Sequence, residues 1–219
     1  TQVINVVLND ALSSVSFAYE VNMDRALDGT LIPGGKIAAT GQYGALNYFL
    51  SAEREPRYDF RDGFERAVNR FGDLAETVNR DETTDGWPIS LTANFGYELS
   101  PKDTANLNFS WTGNDVEYDT DRVITRYHSD SVASRIFERD SQPSKSNGFE
   151  VGSDYMHVFD NGSRWKTIAI VNEKENEFER SRFKVDPSAS SETKDLYLFN
   201  YEKYRERILR SSYVFNLSQ

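Results

Sequence analysis

Ile89-Ser90-Leu91-Thr92-Ala93-Asn94-Phe95-Gly96-Tyr97-Glu98-Leu99-Ser100, then Pro101-Lys102-Asp103-Thr104, then Ala105-Asn106-Leu107-Asn108-Phe109-Ser110-Trp111-Thr112: this stretch decides the fold. Ile89, Leu91, Ala93, Phe95, Tyr97 and Leu99 alternate with Ser90, Thr92, Asn94, Gly96, Glu98 and Ser100. A period of two places these sets on opposite faces of a β-strand. Ser, Pro and Asp then supply a turn. Beyond it Ala105, Leu107, Phe109 and Trp111 alternate with Asn106, Asn108, Ser110 and Thr112. The unit is a β-hairpin with one apolar and one polar face. Each arm has about ten residues, the length a tilted strand needs to cross a bilayer. The apolar face carries no charge, and its aromatics gather towards the ends, as an interfacial girdle requires.

The pattern recurs on both sides. Gly41-Gln42-Tyr43-Gly44 and Asp160-Asn161-Gly162-Ser163 are short turns between alternating segments, and the three turns lie about 60 residues apart. Val15, Phe17, Tyr19, Val21 and Met23 share one strand face; Asp28-Gly29 and Pro33-Gly34-Gly35 then predict a loop. Strands follow at Lys36–Tyr43 and Leu46–Glu53, and later at Phe149–Phe159, Trp165–Val171 and Leu209–Leu217. His157 falls on the apolar face of its strand, and Ile168 and Ile170 fall on the polar face of theirs. Val3–Leu8 reads as a short leading strand.

Between the paired strands lie long polar stretches, 54–87, 115–147 and 173–203, expected to be loops. Phe64, Val68, Phe71 and Leu74 have helical spacing, so a short amphipathic helix is expected there, with strand extension in the rest of 54–87. Short turns at one end and long loops at the other are the habit of an outer-membrane barrel. The expected fold is therefore all-β: an antiparallel transmembrane β-barrel segment of about eight strands. Loop lengths in a soluble sandwich scatter around a few residues. The polar faces are made of small Asn, Ser, Thr and Gly, which suits a hydrated barrel interior better than a soluble surface rich in long charged side chains.

Composition excludes several classes. The 219 residues carry 25 Lys+Arg and 35 Asp+Glu, a net charge of −10, which argues against nucleic-acid binding. There is no Cys, hence no disulfide framework and no thiolate metal site. With only His128 and His157, a His-built metal centre is excluded as well. Mean hydropathy is −0.65 and no apolar run is long enough for a membrane-spanning helix, but barrel strands expose only alternate residues to lipid.

Candidate chemistry is sparse. His128 near Asp130 is half of a possible acid–base pair; an exposed loop His is the simpler account, and no enzyme is expected. Asn161-Gly162-Ser163 matches a glycosylation sequon but reads first as the turn itself. Arg54, Arg57, Arg61, Arg66 and Arg70, interspersed with Glu55, Asp59, Asp62 and Glu65, form either a salt-bridge lattice or an anion site for a ligand or lipopolysaccharide. The sequence selects no catalytic, ligand-binding or metal residue and no cofactor.

Val3-Ile4-Asn5-Val6-Val7-Leu8, followed by Asn9-Asp10-Ala11-Leu12 and at once by the Val15–Met23 strand, resembles the plug exit of TonB-dependent receptors. Thr92–Asp103 and Ile208–Phe215 are similar to barrel strand and turn text of that family. The resemblance implies that residues 1–12 end a plug domain and 13–219 are part of a barrel that in the family has roughly 22 strands. The chain then reads as a piece of a longer protein of the Gram-negative outer membrane. Its implied partners are outer-membrane lipid and lipopolysaccharide, TonB through a plug lying upstream, and a small-molecule ligand at the extracellular loops. The implied activity is active import of a scarce ligand such as a siderophore–iron complex, cobalamin or a glycan. Two alternatives stand beside it. One is a complete eight-stranded outer-membrane barrel serving as adhesin or structural protein, whose interior would have to be filled by side chains. The other is a soluble β-sandwich binding module.

Overall fold

A computed structural model describes residues 13–26, 28–129 and 131–215. They form one antiparallel, open sheet of ten strands and no helix. The strands are β1 (Ser14–Arg25), β2 (Leu31–Tyr43), β3 (Leu46–Arg54), β4 (Arg57–Val68) and β5 (Leu74–Gly86). They continue as β6 (Ile89–Ser100), β7 (Asp103–His128), β8 (Ser131–Val158), β9 (Arg164–Asp186) and β10 (Ser191–Val214). The expected leading strand at 3–8 and the plug-exit residues lie outside the described residues.

Ten strands make eight continuous staves. Arg54 of β3 faces Ile89 of β6, and Arg57 of β4 faces Gly86 of β5, so both pairings share one register. On the other side Ile89 faces Gly113 and Gly86 faces Val116, again in one register on β7. The breaks fall at Glu55-Pro56 and Trp87-Pro88, on neighbouring staves at one level. Proline has no N–H to give the ladder, so pairing lapses there and then resumes.

The three short turns all lie at one end of the sheet, here the lower end, between β2 and β3, β6 and β7, and β8 and β9. The first occupies Gly44-Ala45, where Gly44 has φ 57°, a left-handed conformation that glycine enters without a Cβ penalty. At the upper end the staves run far beyond the expected spans. β7, β8, β9 and β10 have 26, 28, 23 and 24 residues, where ordinary strands have about five or six.

These long strands correct three expectations. Residues 115–147 and 173–203 are strand for almost their whole length, joined by tight turns near Ser129 and Ser190. The expected helix at Phe64–Leu74 is instead the tip of the β4–β5 hairpin. There the Asn69 side chain accepts hydrogen bonds from the N–H groups of Phe71 (2.9 Å) and Asp73 (3.0 Å) and closes the turn. Pro33-Gly34-Gly35 lies within β2, opposite Met23, Asn22 and Val21, and is no loop. In each case backbone pairing with a neighbouring stave outweighed the local signal.

Paired residues share a face. On the lower half one face gathers Phe17, Ile37, Leu50, Leu91, Phe109 and Val151 with their alternate neighbours, and no Asp, Glu, Lys or Arg lies on it above Asp103, which sits on its lower rim opposite His157. This face is bare: Phe17 is 79% exposed, Tyr19 83% and Leu209 80%. Ile32 is the only buried hydrophobic side chain among the described residues. A soluble sandwich packs a second layer on such a face; the described residues form a single layer. Among the described residues no helix is long and apolar enough to cross a membrane.

Candidate functional site

The opposite, polar face carries the candidate site, on the upper half of the sheet. At the level of the proline breaks the lapse in pairing leaves a cavity of about 660 Å³. Asp24, Glu53, Glu55, Arg57, Asn114 and Lys174 bring charge and hydrogen-bonding capacity to its wall. The Asn114 Oδ1 is buried without a hydrogen-bond partner, an arrangement that costs free energy unless something polar meets it. The cavity falls within the usual size of small-molecule sites, roughly 300–1,000 Å³.

The β1–β2 turn is strapped to this cavity's rim. Tyr58 of β4 donates its hydroxyl proton to Asp28 Oδ2 (2.6 Å), while the Thr30 N–H donates to Asp28 Oδ1 (2.9 Å). The Tyr58 hydrogen bond, then that of Thr30, holds the Asp28 carboxyl below its ordinary pKa; the same contact raises the Tyr58 phenol.

Above the cavity lies an arginine–carboxylate lattice. Asp140 of β8 is fully buried. Arg180 of β9 grips it through Nε (3.0 and 3.1 Å to the two carboxylate oxygens) and Nη2 (2.5 Å), and Arg122 of β7 approaches from the other side at 3.5 Å. Arg182 turns instead to Asp195, with bonds of 3.0 and 3.2 Å, helped by Lys184 at 3.4 Å. These cations, Arg182 foremost, lower the Asp195 pKa. Asp195 reaches them because a register shift between Lys194 and Leu196 bulges it out of the ladder. The lattice stiffens the upper wall and presents guanidinium and carboxylate groups along one face. The groups it presents can act by charge and hydrogen bonding.

The expected arginine cluster is divided by strand parity. Arg57 and Arg61 lie on the polar face and share Asp59, Arg57 at 3.8 Å and Arg61 in close contact. Glu65 pairs with Arg80 at 3.1 Å. Arg54 lies on the apolar face over the Trp87 ring, 4.3 Å from its centroid, and Arg70 lies over Phe71 at the hairpin tip, at 4.5 Å. The lattice reading therefore holds for Arg57 and Arg61, and no single five-arginine site forms.

The two histidines lie at opposite ends of the sheet. His128 closes β7 at the top, and Asp130 lies outside the described residues. His157 is at the bottom, where its Nδ1 meets Asp103 Oδ1 at 2.7 Å. Tyr155 donates to the same carboxylate oxygen and Ser100 to the other. The Ser100 hydroxyl is thus committed to Asp103, and the arrangement ties the lower β6–β7 turn to β8. Twenty-five residues of β7 separate the two histidine levels, roughly 80 Å of strand at about 3.3 Å per residue.

Asp140 and its arginines were not singled out from sequence. The signal was present: Arg122, Glu138, Asp140, Arg180 and Arg182 all have even numbers, and this parity shares a face once 115–147 and 173–186 are strands. Among the described residues no group of His, Cys, Asp and Glu side chains is arranged to hold a metal ion. The sequence matches no protein-family model and no curated protein.

Proposed function

We propose that this chain forms part of the wall of an outer-membrane β-barrel of the TonB-dependent receptor type, and that its upper polar face helps capture a scarce ligand for active import. One observation carries the membrane reading. Val21, Gly35, Arg54, Ile89, Gly113, Asn147, Glu175 and Lys203 form one hydrogen-bonded row across all eight staves. Measured from this row, the last apolar residue below the charged zone is Met23, two above it, on β1. It is Leu31, four above, on β2; Ala52, two below, on β3; Trp87, two above, on the stave of β5 and β6; Trp111 and Phe149, two below, on β7 and β8; Val171, four below, on β9; and Leu209, six below, on β10. Between the edge strands β1 and β10 the border falls eight residues over seven strand steps.

With about 3.3 Å per residue and about 4.8 Å between strands, that fall makes an angle of about 38°. A flat membrane surface crosses barrel strands at such an angle, because closure tilts them by roughly 35–45°. The run from Leu99 to Ile89, foreshortened by this tilt, is about 26 Å tall, against about 25 Å for the apolar band of outer-membrane barrels. Tyr43, Tyr97, Trp165 and Tyr213 line its lower border and Trp111 and Phe149 its upper one, as interfacial girdles do. The lower polar face supports a wide, wet lumen: it is mainly Ser, Thr, Asn, Gly and Ala, with Asn106 bonded to Asp154 (3.1 Å) and Lys36 paired with Glu53 (2.9 Å). A complete eight-stranded barrel would need bulkier filling. The outer edges of β1 and β10 have no strand partner among the described residues, and a wall in lipid must have both edges paired.

In this reading the upper hairpins stand outside the cell and the proline-level cavity opens to the vestibule. The 219 residues hold no Cys, so a cysteine introduced here is the only thiol of this stretch. In intact Gram-negative cells making the complete protein, Ser129→Cys at an upper tip should react with a membrane-impermeant maleimide. Lys102→Cys, in a lower turn, should react only after the outer membrane is opened. Equal labelling of both, or recovery of the protein in the soluble fraction without detergent, would sink the proposal.

A further inference from the structure

We infer that the cavity at the proline breaks takes a short peptide with free ends, lying across the staves with its ammonium group at Glu55 and its carboxylate at Lys174. This names the ligand class within the import reading above and rests on it. The cavity wall carries charge of both signs. Glu53 is taken up by Lys36 at 2.9 Å, and Arg57 leans on Asp59 at 3.8 Å. Asp24, Arg25, Glu55 and Lys174 form no ion pair among the described residues. Two carboxylates and two cations are therefore left for a guest. A guest of a single sign is repelled by two of the four, and a neutral glycan answers none of them; a zwitterion meets both kinds.

The spacing of these groups sets the length of the guest. Asp24, Arg25 and Glu55 stand on the side of β1 and β3, and Lys174 stands alone on the side of β9. Glu55 and Lys174 flank the two ends of the row Arg54, Ile89, Gly113, Asn147 and Glu175, four strand steps apart. At about 4.8 Å per step that is roughly 19 Å along the sheet. The ammonium and carboxylate of one amino acid share a single carbon and cannot reach both. An extended peptide spans about 3.3–3.6 Å per residue, so five or six residues do. Midway between the ends, β7 places Asn114 in the cavity wall, with an amide oxygen that has no hydrogen-bond partner. The last torsion of an asparagine side chain is broad, so the amide can turn that oxygen towards a backbone N–H of the peptide. Ile32, Pro56 and Pro88 line the same cavity and give apolar contact to the guest's side chains.

The test uses the complete protein, purified in detergent, and a pool of mixed-sequence hexapeptides with free ends, with retention on ultrafiltration read by mass spectrometry. The free-ended pool should be retained. Acetylating its N-termini or amidating its C-termini should each weaken retention about tenfold or more, the scale of one charge-assisted hydrogen bond. Glu55→Gln should lose most of the penalty for acetylation and keep that for amidation; Lys174→Met should do the reverse. Both side chains are exposed and without an ion pair, so the fold should tolerate either change. Lys145→Gln, which removes a cation from the other face of β8, should alter neither penalty. Equal retention of free and capped pools, no retention of any pool, or penalties unchanged in both variants would overturn the inference while the membrane reading, tested by cysteine labelling, stands. A protein that stays in solution without detergent would overturn the import reading on which the inference rests, whatever peptide it retained.

Discussion

Placing a charge on each side of one strand tests the membrane reading most directly. Ala93 and Asn94 are neighbours on β6, one on the apolar and one on the polar face. Ala93 pairs with Leu50 and Phe109 and lies four residues below Ile89 and six above Leu99. At about 3.3 Å per residue, foreshortened by the tilt, it is about 10 Å below the upper border of the belt and close to its middle. Arginine at that depth on a lipid face costs about 2–4 kcal/mol. At about 1.4 kcal/mol per factor of ten, the folded population in lipid falls by about 30- to 700-fold. Asn94 pairs with Phe49 and Asn108 on the polar face; in the membrane reading an arginine there meets water, at a cost of less than about 1 kcal/mol. The assay is reversible folding of the complete protein into lipid vesicles along a denaturant series, followed by tryptophan fluorescence. Ala93→Arg should shift the midpoint strongly and Asn94→Arg little. An Asn94→Arg penalty equal to or larger than that of Ala93→Arg would falsify the assignment of faces.

Two further outcomes follow from particular contacts. A Cβ at Gly41 would meet the Tyr48 ring at 2.5–2.6 Å and the Ser14 carbonyl oxygen at 2.5 Å. Gly41→Val should therefore displace Tyr48 from the wall and cost about 1–3 kcal/mol, measurable as a lower unfolding midpoint, with a smaller loss if Tyr48 is first cut to Ala, because the contact with the Ser14 carbonyl then remains. Asp195, whose pKa lies below its ordinary 3.8, contributes stability that is fully present above that value and is lost as the pH falls through its folded pKa. Backbone hydrogen exchange in the upper β9–β10 hairpin should therefore speed up on acidification below about pH 4, and Asp195→Asn should remove most of that pH dependence; an unchanged profile in the variant would refute the role given to the Arg182–Asp195 pair.

Legibility in the sequence followed contrast. In the lower belt every second residue is apolar and the next polar, so faces and turns can be read without a structure. Above it the period of two persists, but both faces are charged: Asp115, Glu117, Asp119 and Asp121 on one, Tyr118, Thr120 and Arg122 on the other. Without a hydropathy difference, period two leaves no signal, and a strand looks like a polar loop. The Phe64–Val68 spacing hid the β4–β5 hairpin, since a step of four residues fits one face of a helix or of a strand. Asp140 was invisible as a buried group because its shield comes from Arg122 and Arg180, 18 and 40 residues away.

The sequence by itself determined the all-β class, the apolar and polar faces of the lower staves and the three lower turns, because side-chain alternation and turn chemistry are local. Only the tertiary structure decided that the polar stretches extend the staves, that the sheet passes through the breaks at Pro56 and Pro88 in a single register, and that the apolar border slants across it. Each of these depends on which strand pairs with which residue of its neighbour, a long-range backbone match that no local window contains.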